Sequence, residues 1–569
     1  MLQLGTRGNP NAQILIVGEA WSADDAHKLQ PFTGMVGKEL YDILTAAGID
    51  PNNCYYTNVI NKRPANNDMK NFFIPSKEAK QLKLQDTRGL FPDTVILEGL
   101  QKLQELIETL KPKLIIGLGN YALWALTEDS FKIISSAGYK IPTGITNYRG
   151  SQLRSRFWDI PLLPIYHPAT ILKQYVWRSQ TIHDLHARVK KAFTNDWDDI
   201  PRQFYIQPTF ETVHEVLSKV ILQAELSDTP VIATCDIETT SFQLECVGIG
   251  LSKTEALCIP FICHADKKGY WSLEEEIAIV ELLRRFLTHP NIAIVGQNYL
   301  YDWQYLWLFL GINSNYNHDT MLAHHVNFPG TPMGLDHLSS LYCSFHTYWK
   351  EDGKEANKNH DDLQRWIYNC RDCVVTYEVI TELWNVIKHY NLQKQYAIQM
   401  VRANSVIKMM TKGVKVDEKV RGQQRKKLLE ATMILEDRLE NLLPVTIYPR
   451  QKGKAKWFAS PQQLAHLFYE ILAQPKVLNY TANGPTPTTD DDALTKIATR
   501  EPLLKPICDA IKQYRSMKVF ADFINMKVSV DGRMRTSFSP TTETFRYRSS
   551  GDAFGRGRNL QNLPKGNEE

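Results

Sequence analysis

At 569 residues the chain is too long for one ordinary domain, and at about 150 residues each, three or four are expected. A hydrophobic share of 43% and a charged share of 22% describe a globular protein rather than a disordered or fibrous one. Lys and Arg exceed Asp and Glu by only 66 − 62 = 4, so any footprint for a polyanion has to be local. No apolar run approaches the roughly 20 residues of a membrane span, and the N-terminus has no secretory apolar region; no membrane partner is expected. The nine cysteines are scattered. Their one close pair, Cys370-x-x-Cys373, has no second pair to complete a zinc site, which predicts ordinary reduced cysteines and a cytoplasmic location.

Residues 1–200 alternate apolar runs with helical patterns. Ile14–Val17, Cys54–Asn58, Leu114–Gly117 and Leu162–Ile165 are the strand candidates, and their alternation with helices predicts an α/β layer with a parallel sheet. Gly117-Leu-Gly119 does not extend to a dinucleotide-binding fingerprint, because Tyr121 and Ala122 follow Asn120; it reads as a strand-to-helix turn. A polar, proline-containing stretch at 196–208 reads as a linker.

Four segments of this first domain stand in order: Gly18-Glu19-Ala20-Trp21, Pro31-Phe32-Thr33-Gly34-Met35-Val36-Gly37, Tyr56-Thr57-Asn58 through Pro64, and Tyr166-His167-Pro168. They resemble the uracil-DNA glycosylase superfamily, its family 4 and 5 branches above all, over most of residues 10–175. The resemblance implies a pocket for a flipped base: Phe32 to stack on it, Asn58 to read its Watson–Crick edge, His167 to donate to the leaving base and Glu19 to position water. Backbone amides of the Gly18–Ser22 turn would hold a phosphate at a helix start. The chain departs from the family at Trp21-Ser22, where Pro-Gly is usual, and at Ala169, where Ser is usual. Cys54 is the only cysteine before residue 235, so no iron–sulfur cluster is expected. Two readings stay open, an active glycosylase and a degenerate domain that binds DNA or template uracil.

Residues 204–390 are α/β again and carry three polar pairs in order. Asp236 and Glu238 end the apolar run Val231-Ile232-Ala233; at i and i+2 of a strand their carboxylates face one side. Asn298 and Asp302, after the run Ile292–Val295, and Tyr368 and Asp372, in a helical pattern, have the i, i+4 spacing of one helix face. Convergent carboxylates are ligands for hard divalent cations. Two such ions serve in-line phosphoryl displacement. Asp236, Glu238 and Asp372 would hold one Mg²⁺ or Mn²⁺, Asp302 with Asp236 the second through water, and Tyr368 would orient the attacking water. The order and spacing resemble the DnaQ-like 3′–5′ proofreading exonucleases of family A DNA polymerases, with a ribonuclease H-like fold. Asn298 would then contact DNA, and Asp319, in His318-Asp-Thr-Met-Leu322, would be structural rather than a metal ligand.

From 391 to 569 the pattern turns mainly helical, with a long amphipathic segment at 418–443 and an extended loop expected at 475–492. Met409–Asp417, Ser460-Pro-Gln-Gln-Leu464 and Tyr514-Arg-Ser-Met-Lys518 resemble the start of the polymerase portion and the thumb of family A enzymes. Thr544-Phe-Arg-Tyr-Arg-Ser549 and Arg558-Asn-Leu-Gln-Asn-Leu-Pro564 resemble the entry to their palm, Phe545 standing where the family has Gly. Arg546, Arg548 and Arg558, with Arg533, Arg535 and Arg556, are candidates for phosphates, and Asn559, Gln561 and Asn562 for base or sugar edges. In the family the palm aspartates and the fingers follow this point, and none stands in residues 565–569, so nucleotide addition is expected to need a further part, such as a second chain.

The sequence thus predicts a multidomain protein: an α/β glycosylase-like domain, an α/β exonuclease and a mainly helical thumb with an incomplete palm. It resembles the N-terminal portion of a bacteriophage replicative polymerase, which implies single-stranded and primer–template DNA as partners and the host bacterial cytoplasm as location. The alternatives are a uracil-excision repair enzyme and a non-catalytic DNA-binding or processivity subunit of a split polymerase.

Overall fold

Apolar runs that alternate with amphipathic helices fold into two sheet-centred layers and a helical part. The computed structural model describes residues 5–128, 133–136, 138–264, 268–444, 456–481 and 484–562. The chain divides into two compact units, Met1–Met400 and Val401–Glu569.

The first unit contains both sheets. In the first sheet the order is Arg7–Gly8, Cys54–Ile60, Ile14–Ala20, Leu114–Leu118, Pro161–Ile165, Leu153–Arg154. The central four strands run parallel, as their uninterrupted apolar character demands when helices cover both faces. The two edge strands are short and antiparallel, too short to leave a periodic signal. Core residues on one face include Leu15, Val17, Ile107 and Trp124, and on the other Ile16, Leu40, Leu114 and Ile165. The order reverses between Ile14–Ala20 and Leu114–Leu118. At such a switch point the strand ends leave a crevice at their carboxyl side.

The second sheet has the order His318–Asp319, Ile292–Gly296, Val231–Thr240, Gln243–Gly250, Glu255–Pro260, Gln203–Tyr205. Gln203–Tyr205 pairs parallel with Glu255–Leu257, so part of the stretch expected as a linker is the edge strand of this sheet; three paired residues satisfy backbone groups that a free linker would leave to water. The Asp362–His389 helix packs across Val231–Thr240, Gln243–Gly250 and Glu255–Pro260. Its close approach depends on glycine. A Cβ on Gly248 would lie 2.3 Å from Asn369 Oδ1 and 2.7 Å from Cys373 Sγ, and one on Gly250 would lie 3.1 Å from Cys373 Cβ. Cys370 and Cys373 are free thiols packed in this core.

In the second unit the Glu418–Leu442 helix packs on Lys505–Ile524 around Leu435, Leu439, Phe458, Phe468, Ile511 and Tyr514. The expected loop at 475–492 contains an antiparallel hairpin, Leu478–Thr481 with Gly484–Pro487; its prolines and threonines suit an extended edge better than the helix they interrupt. Val414–Lys415 pairs with Arg533–Met534, and Ser537–Ser539 with Arg548–Ser550. Phe545 has a φ of +57°, the left-handed conformation that glycine adopts freely. Among the described residues no helix is long and apolar enough to cross a membrane.

Candidate functional site

The core of the acidic centre is assembled from two elements. Asp236 and Glu238 project from one side of the Val231–Thr240 strand, and the pairing register slips between Glu238 and Thr239. Such a bulge twists the strand and re-aims its side chains. Tyr368 and Asp372 share a face of the Asp362–His389 helix. Together the strand and helix bring ligand oxygens of Asp236, Glu238 and Asp372 within 4.8 Å of one another. Asp302 is buried alongside; one of its oxygens accepts the Ile237 amide at 3.0 Å.

Burial, then the charges of Asp302, Asp372 and Glu238, push the Asp236 carboxyl well above the usual carboxylate range. Burial likewise raises Glu238 to about 7, although Arg365 pulls the other way. Burial also raises the Tyr368 phenol, and neighbouring Asp372 raises it further. Against four crowded carboxylates stand two cations. Lys350 Nζ lies 2.7 Å from Asp372 Oδ2 and 2.8 Å from the Tyr368 hydroxyl. Arg365 lies 3.2 Å from Glu238 and is shared with Glu245. An all-oxygen donor set short of positive charge fits one or two hard divalent cations. Glu245, His264 and Asp362 also bring ligand atoms within 4.8 Å, but Arg365 already neutralises Glu245 there.

Three residues of this centre carry no signal in the sequence pattern: Trp349, Lys350 and Arg365. Asn369 was legible only as a neighbour of Tyr368; its Nδ2 donates to Asp236 Oδ2 at 2.9 Å. Trp349 Nε1 donates to Asp372 Oδ1 at 2.7 Å. Asn298 does not share a helix face with Asp302. It is exposed, with a φ of +59°, ahead of the Leu300–Leu310 helix, because its amide and that of Tyr299 turn in to Asp319. Asp319 is fully buried and accepts from those two amides, from the Met321 and Leu322 amides and from the Tyr316 hydroxyl. It caps a helix and closes a turn, and both of its oxygens are engaged.

The first sheet carries a second site at its switch point. Glu19 ends one strand, Asn58 lies near the end of its neighbour, and His167 follows Pro161–Ile165. Glu19 Oε1 accepts the Tyr121 amide at 3.2 Å, and burial raises its carboxyl to about 7. His167 accepts the Ala169 amide on Nδ1 at 3.2 Å, which leaves Nε2 as the protonated nitrogen of the neutral ring; burial lowers its pKa to about 4. Asn58 Oδ1 is buried and has no partner among the described residues. Gly18 makes room for both it and Phe32: a Cβ there would lie 2.2 Å from Asn58 Oδ1 and 2.6 Å from the Phe32 ring. Phe32 is buried at a φ of +58°, its ring edge-on to Tyr56 at 6.1 Å. The expected phosphate cradle at Gly18–Ser22 is not formed. Gly18 and Glu19 are in the strand, and the Ser22 amide is already bonded to Asp25 Oδ2 in the capping box of a six-residue helix.

The arginines of the last segment are largely engaged within their own unit. Arg558 pairs with Asp522 at 2.7 Å, Arg535 with Asp531 and Arg556 with Asp552. Arg546 donates to Thr544, and Arg548 is exposed on its strand. Asn559 accepts the Gln561 amide, Gln561 donates to the Tyr547 carbonyl, and the Asn562 amide turns back to the Asn559 carbonyl.

Comparison with known proteins divides the chain along the same lines. Residues 6–190 match the uracil DNA glycosylase superfamily, and residues 214–388 match the 3′–5′ exonuclease family found in DNA polymerase A. The chain is 23% identical to the DNA polymerase of Bacillus phage SP01 over 94% of its own length and 61% of that protein. It is 24% identical to the DNA polymerase of Escherichia phage T5 over 53% of its length and 38% of that protein. The type-4 uracil-DNA glycosylase of Archaeoglobus fulgidus is 29% identical over 29% of this chain and 69% of its own length. The chain therefore spans about three fifths of the phage SP01 relative.

Proposed function

Because the chain is a relative of phage family A DNA polymerases, with a uracil-DNA glycosylase-superfamily domain ahead of a 3′–5′ exonuclease domain, we propose that it removes nucleotides from single-stranded 3′ ends by two-metal hydrolysis, as the proofreading part of a replicative polymerase. One observation carries this reading: three carboxylates from a strand and a helix gather within 4.8 Å, with the Tyr368 hydroxyl beside them. Asp236, Glu238 and Asp372 would hold the first cation, and Asp302 with Asp236 the second. Bound Mg²⁺ or Mn²⁺ would supply charge stabilisation for the attacking and leaving oxygens of the displacement. The protein's own part is positional. Asn369 holds the Asp236 carboxylate, Trp349 holds that of Asp372, and the Tyr368 hydroxyl orients the attacking water. Exposed Asn298 faces the DNA beside the site, and primer–template contact falls to Arg546, Arg548, Arg558, Asn559, Gln561 and Asn562.

A second reading, uracil excision by the first domain, is favoured by the unpartnered Oδ1 of buried Asn58 next to Phe32. An amide left unsatisfied in a protein interior is costly unless a ligand completes it. Asn58 would read the base edge, Phe32 would stack on it, neutral His167 would donate from Nε2 to the departing base, and Glu19 would position water.

One labelled oligonucleotide with an internal uracil separates these readings. With Mg²⁺ the expected result is EDTA-sensitive shortening from the 3′ end, and an alkali-sensitive break at uracil if the first pocket is active. A full-length substrate under all conditions would overturn both.

A further inference from the structure

We propose that the first domain is a positioning element of the nuclease: it grips the segment 346–350, whose Trp349 and Lys350 set the orientation of Asp372 and Tyr368. This rests on the exonuclease reading and names what keeps its site in order. The grip is made of specific contacts. The Gln152 amide donates to the His346 carbonyl at 2.7 Å, and the Tyr348 amide donates to Ser151 Oγ at 3.2 Å. The Tyr148 and Tyr348 rings meet edge to face at 5.0 Å. Just ahead of the segment, Arg149 is buried in an ion pair with Asp184 at 2.6 Å and donates to Ser340 Oγ. Arg188 donates to the carbonyls of Ser340, Cys343 and Ser344.

A buried arginine needs partners, and removing those it has from such a network is strongly unfavourable. The segment is therefore held in one place rather than resting on a wet, adjustable surface. The two residues that follow Tyr348 reach the catalytic helix. Trp349, almost wholly buried, donates to Asp372 Oδ1, while Lys350 donates to Asp372 Oδ2 and to the Tyr368 hydroxyl. Both oxygens of one carboxylate thus take their direction from one dipeptide. Without it, repulsion from Asp236 and Glu238 would turn Asp372 away from the ligand set. Partners that orient a metal ligand are typically worth about 10- to 100-fold in metal affinity or activity.

The test uses the full chain and three variants: Tyr148→Ala with Ser151→Ala, Tyr148→Phe with Ser151→Thr, and Trp349→Phe. The readouts are Mn²⁺ binding, from the electron paramagnetic resonance of the free ion, kcat and KM on a single-stranded oligonucleotide, and the melting curve. The alanine pair should lose about 10- to 100-fold in kcat and in Mn²⁺ affinity with KM unchanged. The Phe/Thr pair keeps the ring and the hydroxyl and should match the wild type in kcat and Mn²⁺ affinity, even where the added methyl at buried Ser151 lowers the melting point. Trp349→Phe leaves the first domain untouched and should match the alanine pair, which isolates the link from the segment to Asp372; if the alanine pair melts early, its Mn²⁺ affinity is read below its melting range. Unchanged Mn²⁺ affinity and kcat in the alanine pair or in Trp349→Phe, or an equal loss in the Phe/Thr pair, would overturn the proposal. A wild-type chain that binds Mn²⁺ but does not shorten DNA would instead sink the exonuclease reading, and the Mn²⁺ titration would still test the positioning.

Discussion

The two sites of the first unit use similar scaffolds to opposite ends. Both lie on a strand inside a six-stranded sheet, and both contain a buried carboxyl raised to about 7, Glu19 in one and Glu238 in the other. Glu19 owes its shift to burial, with backbone amides of Asn120 and Tyr121 working against it. Glu238 and Asp236 sit among like charges that Lys350 and Arg365 do not balance. A lone buried acid beside a neutral imidazole suits proton and water handling on a neutral ligand. A crowd of acids suits cations and the phosphodiester chemistry they support. The lesson is that surrounding charge, rather than burial or the shifted carboxyl itself, separates the two kinds of site.

That contrast is broken most sharply at the proposed metal ligands. Asp236→Ala or Asp372→Ala should lower 3′ shortening by about a thousandfold, while uracil release, if present, is unchanged. A clean variant of either kind with wild-type shortening would remove the metal-site assignment. In the other pocket, Asn58→Ala and His167→Ala should each reduce uracil release by about a hundredfold, measured as alkali-sensitive breaks, and leave shortening intact. Loss of both activities in Asn58→Ala would mean that the two sites are not separable.

Glu19 sharpens the comparison through stability. Its folded pKa of about 7 lies above its ordinary 4.5, so the folded state holds a proton that the unfolded chain releases between those values. Stability from this group is therefore lost as pH rises through that window, and the cost is complete above about 7. Glu19→Gln should stabilise the chain at pH 8 by on the order of 2–3 kcal/mol and change little at pH 4.5. Melting curves that shift equally at both pH values would contradict it. The smallest effect concerns helix approach. Gly248→Ala places a Cβ 2.3 Å from Asn369 Oδ1, so the Asp362–His389 helix has to give. A loss of about 1–3 kcal/mol is expected, with reduced shortening and normal uracil chemistry; denaturant unfolding beside the two assays would check it.

The residues that gather in the two candidate sites were legible in the sequence because their signals are local. Apolar runs mark the parallel strands, i, i+2 spacing places Asp236 with Glu238, and i, i+4 spacing places Tyr368 with Asp372. Where a local rule met a long-range partner, the partner won. Asn298 left the helix because Asp319, 21 residues on, takes its amide. The stretch at 203–205 became a strand because Glu255–Leu257 offered an edge. At Ser22 the competitor was itself local: the amide went to Asp25, three residues on, rather than being left for a phosphate. The sequence by itself determined the strand cores and the pairs Asp236/Glu238 and Tyr368/Asp372, since each is written in spacing along one element. Only the tertiary structure decided that Trp349 and Lys350 fix Asp372, and that Ser151 and Tyr148 lie beside the segment carrying them. Those contacts join residues as many as 197 positions apart, and no periodicity within a helix or strand encodes such a distance.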